Sequence, residues 1–369
     1  MMLLLLSAGF VFTRLTKSSA EARGGPTKAK WDLSVPTQMK PLLELDSMSP
    51  FSISWPGIAQ LVLLAVCCMS LNLRAFEPPT ADARRAAIGP LDALSLILRA
   101  ALEPDSDFRP IPKPGPDDWL SSHREVPQTF LDFKRSSPRQ PDAARRVIYL
   151  LALGAFPAGQ SPPLDKLQRF AAAYFQMEVK TLPVMTGTNF TTRLNPSTKN
   201  RQVLTVDVLK FLQARLPTDA FCFLAITMDD LYPDPSWNFV FGQASLHEGV
   251  GVYSFARYDP AFYGQQRGSD YESVLLRRSC KVLVHETGHM FGVSHCVFFA
   301  CVMNGSNHLG ESDSRPFHLC PVCLRKLQWS VKWDIVKRDE SLAALYHEFG
   351  FEKESKWAEA RLTKMKAAQ

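Results

Sequence analysis

The sequence predicts an α/β (α+β) fold from three observations. Between residues 147 and 227, apolar strand-like runs alternate with stretches of helical periodicity, the order expected of a sheet covered by helices. Residues 220–227 are apolar without interruption, the signature of a central strand buried on both faces. Two more strand patterns, 238–246 and 250–257, meet at His247-Glu248-Gly249 with hairpin-like spacing. In chain order, residues 91–102 read as an amphipathic helix ended by Pro104, and 147–151 as an apolar strand. Residues 165–175 place Leu167, Phe170 and Tyr174 on one helical face. A strand at 179–184 follows, then a helix at 208–216 stopped by Pro217. A long helical pattern runs from 272 to 291.

Composition sets the outer limits. The chain has 369 residues, 46% hydrophobic and 21% charged, enough to bury one large or two ordinary domains and far from a disordered composition. The net charge of +6 is scattered, and its densest knot, Arg277-Arg278 near Lys281, is short and lacks interleaved aromatics. That is a solvated surface and not a nucleic-acid face. Residues 1–12 are apolar with Ser18-Ser19-Ala20 beyond them, but no positive charge precedes the run, so a secretory leader is the lesser reading. The apolar run at 58–69 is 12 residues long, short of the roughly 20 that span a bilayer, so no membrane span is expected. From 74 to 141 the chain is Pro- and Arg-rich and shows no catalytic constellation.

The chemistry concentrates in His285-Glu286-Thr287-Gly288-His289-Met290-Phe291-Gly292-Val293-Ser294-His295. Histidines four apart on a helix project from one face and can grip one metal ion, with the intervening glutamate on the open side. Gly292 can take the positive φ that stops a helix, which lets His295 return as a third ligand. Three histidines leave a tetrahedral zinc one open position, the catalytic arrangement. Chance alone yields the full pattern in about one chain in 10⁵ of this composition.

Cysteines begin at the next residue. Cys296 and Cys301, then Cys320 and Cys323, form two close pairs with zinc-thiolate spacing. Three histidines and four cysteines exceed the four ligands of one tetrahedral zinc, so two sites are expected, one open and one closed. Two disulfides are the alternative if the chain is exported. His308 and His318 read as surface loop residues, and Cys222 and Cys280 as buried apolar ones, a reading extended to Cys67 and Cys68.

H-E-x-x-H-x-x-G-x-x-H followed at once by C-x4-C-x-M and a distant C-x-x-C, here His285 through Cys323, resembles the archaemetzincins of the metzincin clan. Asp230-Leu231-Tyr232-Pro233, Trp237-Asn238-Phe239 and Phe255-Ala256-Arg257-Tyr258 are also similar to family sequence, and the resemblance covers about 72–350. It implies a metzincin-like catalytic domain with a twisted mixed sheet, an active-site helix and a zinc-stapled C-terminal subdomain. It also implies that Met303 forms a turn beneath a catalytic zinc held by His285, His289 and His295, with Glu286 as general base. A second zinc, on the four cysteines, would make two per chain.

The expected division is a front segment at 1–71, poorly ordered and outside the resemblance, and an accessory region at 72–140. A catalytic domain at 141–335 follows, with its zinc subdomain at 292–330, and then a helical tail at 336–369. The implied substrate is a peptide or protein, cut by an endo- or aminopeptidase, with 238–246 as either a substrate-binding edge strand or a core strand. Asn304-Gly305-Ser306 after Met303 supply no tyrosine for the oxyanion. Two other readings stay open: a catalytically silent zinc-stabilised binding protein, and a zinc-finger nucleic-acid module using Arg325-Lys326. Zinc-bound thiolates point to a reducing cytoplasm or nucleus.

Overall fold

A computed structural model of the chain describes residues 11–12, 75–245 and 247–368. The leader-like run apart from Val11 and Phe12, the apolar run at 58–69, Cys67 and Cys68 lie outside the described residues. The elements below belong to one compact unit; the other, Thr16–Ala75, falls outside the description except for Ala75. Among the described residues no helix is long and apolar enough to cross a membrane.

After a two-residue strand β1 (Val11–Phe12), four short helices lead in: α1 (Ala81–Ile88), α2 (Leu96–Leu102), α3 (Trp119–Ser122) and α4 (Phe130–Arg135). Then come β2 (Val147–Leu153), α5 (Leu164–Phe175), β3 (Val179–Met185), β4 (Thr192–Leu194), β5 (Arg201–Leu204) and α6 (Thr205–Gln213). β6 (Ala220–Thr227), β7 (Asp230–Tyr232), β8 (Gly242–Ser245) and β9 (Val250–Ser254) precede the long helix α7 (Tyr271–Met290). The chain closes with α8 (Leu309–Ser314), α9 (Pro321–Val331), α10 (Ile335–Glu348) and α11 (Glu352–Lys366).

The main sheet has the order β1-β8-β9-β6-β2-β3. β3, β2, β6 and β9 run parallel, and β8 is antiparallel to β9, so the sheet is mixed. A smaller sheet, β4-β5-β7, lies alongside in sequence. Strand alternation explains the layering. Ile148, Leu150 and Ala152 of β2 and Cys222, Leu224 and Ile226 of β6 enter the large core built with α5, α7 and the C-terminal helices. Their neighbours Tyr149, Leu151, Phe223 and Ala225 enter a second core with Val208, Leu209 and Leu212 of α6. Both central strands are therefore buried on two faces, as their continuous apolar sequence requires.

Two differences from the sequence reading have physical causes. Among the described residues, the strand expected at 238–246 begins only at Gly242 and runs over Gly242–Ser245. Upstream, the Asn238 carbonyl accepts from side chains of Arg193 at 3.1 Å, Asn195 at 3.0 Å and Gln202 at 2.9 Å, which removes it from ladder pairing. β8 also carries Val11–Phe12 on its outer side in parallel register. The strand expected to reach Arg257 stops at Ser254, where a 3₁₀ turn (Ala256–Tyr258) begins. Arg257 there makes a two-pronged pair with Asp230, both contacts 2.8 Å, with the side chains 6% and 0% exposed.

Candidate active site

The sheet and the large core fix α7, whose last twelve residues are buried throughout. Its tip ends as the glycine pattern requires. Gly292 has φ +83° and its N–H donates to the His289 carbonyl at 2.7 Å, closing the helix in a left-handed cap that no side-chain-bearing residue adopts cheaply. The chain then doubles back and delivers His295 beside His285 and His289.

The three histidines offer ring nitrogens that all lie within 4.8 Å of one another, and the Nε2 atoms of His285 and His289 are 3.0 Å apart. Tetrahedral zinc at about 2.0–2.1 Å from each nitrogen sets a spacing of roughly 3.3 Å, which fits. Each opposite nitrogen is held. Nδ1 of His285 meets the Val302 carbonyl at 2.7 Å, that of His289 the Val293 carbonyl at 2.6 Å, and that of His295 the Glu125 carboxylate at 2.7 Å. These contacts select the tautomer that points Nε2 inward. Burial pulls His285 down to about 3 and His289 well below its usual value, so both are neutral, the ligating form.

Glu286 lies among them, 3% exposed, its Oε1 3.9 Å from His285 Nε2 and without a hydrogen-bond partner among the described residues. Burial pushes its carboxyl up to about 8; a dication beside it would draw that value back down. Met303 packs against the helix at Gly288, where an added Cβ would fall 2.6 Å from the Met303 sulfur. The methionine therefore underlies the histidines only because residue 288 has no side chain.

The four cysteines converge separately. Cys296, Cys301, Cys320 and Cys323 are buried, unpaired as disulfides, and their sulfurs lie within 4.8 Å of one another. Backbone N–H groups of Cys320 and Met303 donate to the Cys301 sulfur at 3.2 and 3.5 Å, an arrangement that suits a thiolate. Asn304 knits the same loop, donating to the carbonyls of Cys296 and Phe299 and accepting from the Cys301 N–H. Both donor sets thus fit zinc.

Sequence reasoning missed the contribution of the accessory region. Glu125 also accepts from Trp119 Nε1 at 2.7 Å. Burial acts to raise its pKa, but the contacts from His295 and Trp119 outweigh it and hold the carboxyl below the usual range. The Trp119 ring meets His295 edge-on at 5.1 Å, and Gln128 brackets the turn by donating to the Gly292 carbonyl and accepting from the Ser294 N–H, both at 3.1 Å. No local spacing signals these partners. Tyr258 was missed too: it lines the cleft, and burial raises its hydroxyl well above the usual range, keeping it a donor.

Other expectations sort clearly. His308 caps α8 and faces Asp118 at 3.3 Å in a half-exposed position. His318 instead stacks on Trp357 at 4.0 Å. Arg325 and Lys326 point inward, over the Phe130 ring and onto the Gln128 carbonyl. They present no basic recognition face.

A cleft opens onto this centre, lined by His285, Glu286, His295, Phe241, Tyr258 and Lys281 among others. A mixed sheet backing a buried helix that carries H-E-x-x-H, with a third histidine from a glycine turn, defines a metallopeptidase class of site. Comparison with known proteins agrees. Residues 184–329 match the model of peptidase family M54. The chain is 45% identical to archaemetzincin-2 of Macaca fascicularis and 44% identical to that of Homo sapiens, in each case over 278 residues, 67% of this chain and 77% of the relative. A crystal structure of archaemetzincin from Methanopyrus kandleri is 28% identical, covering 52% of this chain and 99% of that one, with a TM-score of 0.40. This chain belongs to the archaemetzincin family, and it is a zinc metalloprotease acting on peptide or protein substrates.

Proposed function

We propose that the chain hydrolyses peptide bonds at a zinc held by His285, His289 and His295, with Glu286 as general base and a second, structural zinc on the four cysteines. When bound, zinc supplies a Lewis acid that polarises the scissile carbonyl and acidifies the attacking water. Glu286 then takes the proton at Oε1 and returns it to the leaving amine. The observation that carries this reading is the buried Glu286 oxygen without a partner beside three oriented imidazoles, since a purely structural site has no use for a base. Tyr258 lines the cleft wall, and we assign its hydroxyl to support the oxyanion; Asn304 is spent on the cysteine loop.

An endopeptidase is favoured over an aminopeptidase. Holding a substrate's free amine takes an acidic partner, and Glu286 is the sole carboxylate among the described residues lining the cleft. For the structural zinc, we keep a reducing compartment, cytoplasm or nucleus, as the matching location. The test is turnover of an end-capped peptide library by the purified full chain. Glu286→Ala is expected to lose turnover while keeping its zinc; equal turnover by the variant rejects the mechanism.

A further inference from the structure

The inner end of the zinc cleft has a chemistry that hydrolysis does not use. Lys281 sits four residues before His285 on α7, about 6 Å along the axis and on the same face. It lines the cleft, is 5% exposed, and donates to the carbonyls of Ser312 and of Arg315, the latter at 2.5 Å. The two carboxylates whose charge favours it, Asp313 and Glu354, are committed elsewhere, Asp313 to Arg278 at 2.7 Å and Glu354 to Arg277 at 2.5 Å. Among the described residues the ammonium thus has carbonyl partners and no carboxylate within ion-pair distance. Arg315 stands beside it, 6% exposed and also lining the cleft. One of its terminal nitrogens pairs with Glu311 at 2.9 Å, and that carboxylate also accepts the N–H groups of Trp119 and Asn307. The Arg315 Nε is buried and has no partner among the described residues.

A buried ammonium with no carboxylate paired to it is expensive to maintain. Burial has already pulled Lys281 down to about 7, and an arriving anion would relieve that cost. Resting on the hydrolytic reading above, we propose that Lys281 and Arg315 form a carboxylate-binding subsite that selects the peptide. The carboxylate is either an Asp or Glu side chain next to the scissile bond or the free C-terminus of a peptide ending there. Both share a planar, bidentate anion that guanidinium and ammonium groups recognise.

The test is binding to the zinc-loaded full chain carrying Glu286→Gln, so that affinity is read without turnover. One arm uses end-capped octapeptides with Glu exchanged for Gln at each position in turn; the other compares free-acid and amidated C-termini of the Gln peptide. About tenfold tighter binding of the acid in one arm is expected and identifies the source. Lys281→Met should erase the preference and Lys281→Arg should keep it; should Lys281→Met fail to fold, Arg315→Gln is read in the same ratio. Equal affinities in both arms, or a preference that survives loss of the Lys281 charge, overturn the subsite. Turnover by the wild-type chain on the same peptides separates the two claims. Cleavage without acid preference removes the subsite alone, and acid preference without cleavage keeps the subsite and removes the hydrolysis.

Discussion

Glu125 is 170 residues from His295 in sequence and 2.7 Å from its ring in space. A carboxylate behind a metal-ligating imidazole fixes the ring's orientation and raises its basicity, and losing such a partner weakens metal binding by about 10–100-fold. Glu125→Gln is therefore expected to weaken zinc at the three-histidine site by that factor in a chelator competition, with the cysteine site unaffected. Unchanged affinity would show that His295 needs no such support. The contrast with His285, Glu286 and His289 is instructive. Their roles were legible because helix geometry alone puts i and i+4 on one face. Glu125 was not, because it sits in a Pro-rich stretch whose place is set by tertiary packing, and a lone glutamate there looks like any solvated carboxylate.

The loop from Gly292 to Cys323 and the paired segments around Asp230 show where local pattern suffices and where it does not. The sulfurs of Cys296 and Cys320 lie 3.5 Å apart, tying the residue after His295 to the start of α9. Cys320→Ala should lower both zinc content and melting temperature, and unchanged values for both would reject a structural metal. The spacing of the four cysteines forecast their convergence, and the Gly292 turn followed from the need to bring His295 back. The set of segments at 230–233, 237–239 and 255–258 was similar to family sequence without its purpose being readable. Its purpose is a buried ion pair: Asp230 accepts from Arg257 twice and from Gln202 at 2.8 Å, and Arg257 lies 3.2 Å over the Phe239 ring. Removing one partner of such a pair strands the other charge in the core, at about 3–5 kcal/mol. Asp230→Ala should lose that much stability in urea unfolding; a loss below about 1 kcal/mol would mean that water reaches Arg257. Polar side chains on the Asn238 carbonyl also shortened β8, a tertiary effect that strand alternation cannot register.

Across the molecule, the order β2, α5, β3, α6, β6, β8, β9, α7 was readable because two-sided burial, hairpin spacing and a long helical pattern each leave a mark in sequence, whereas the short strands β4, β5 and β7, of three or four residues, left none. The strand order did not follow from it, nor did the way the two ends of the described chain close together. Arg361 of α11, its side chain 2% exposed, reaches the Asp105 and Asp107 carboxylates at 2.7 and 3.1 Å and the carbonyls of Ala100 and Ala101. The accessory helices are thus tied to the last helix, and the same region carries Trp119, Glu125 and Gln128 to the histidine turn. Catalytic helix, cysteine loop and accessory segment meet around one point, which makes metal content the most direct readout of the arrangement. Zinc per chain should be about two in the purified wild-type protein and about one in His289→Ala, the remaining ion being held by the cysteines. Two ions in both proteins, or one in both, would contradict a zinc site built from His285, His289 and His295.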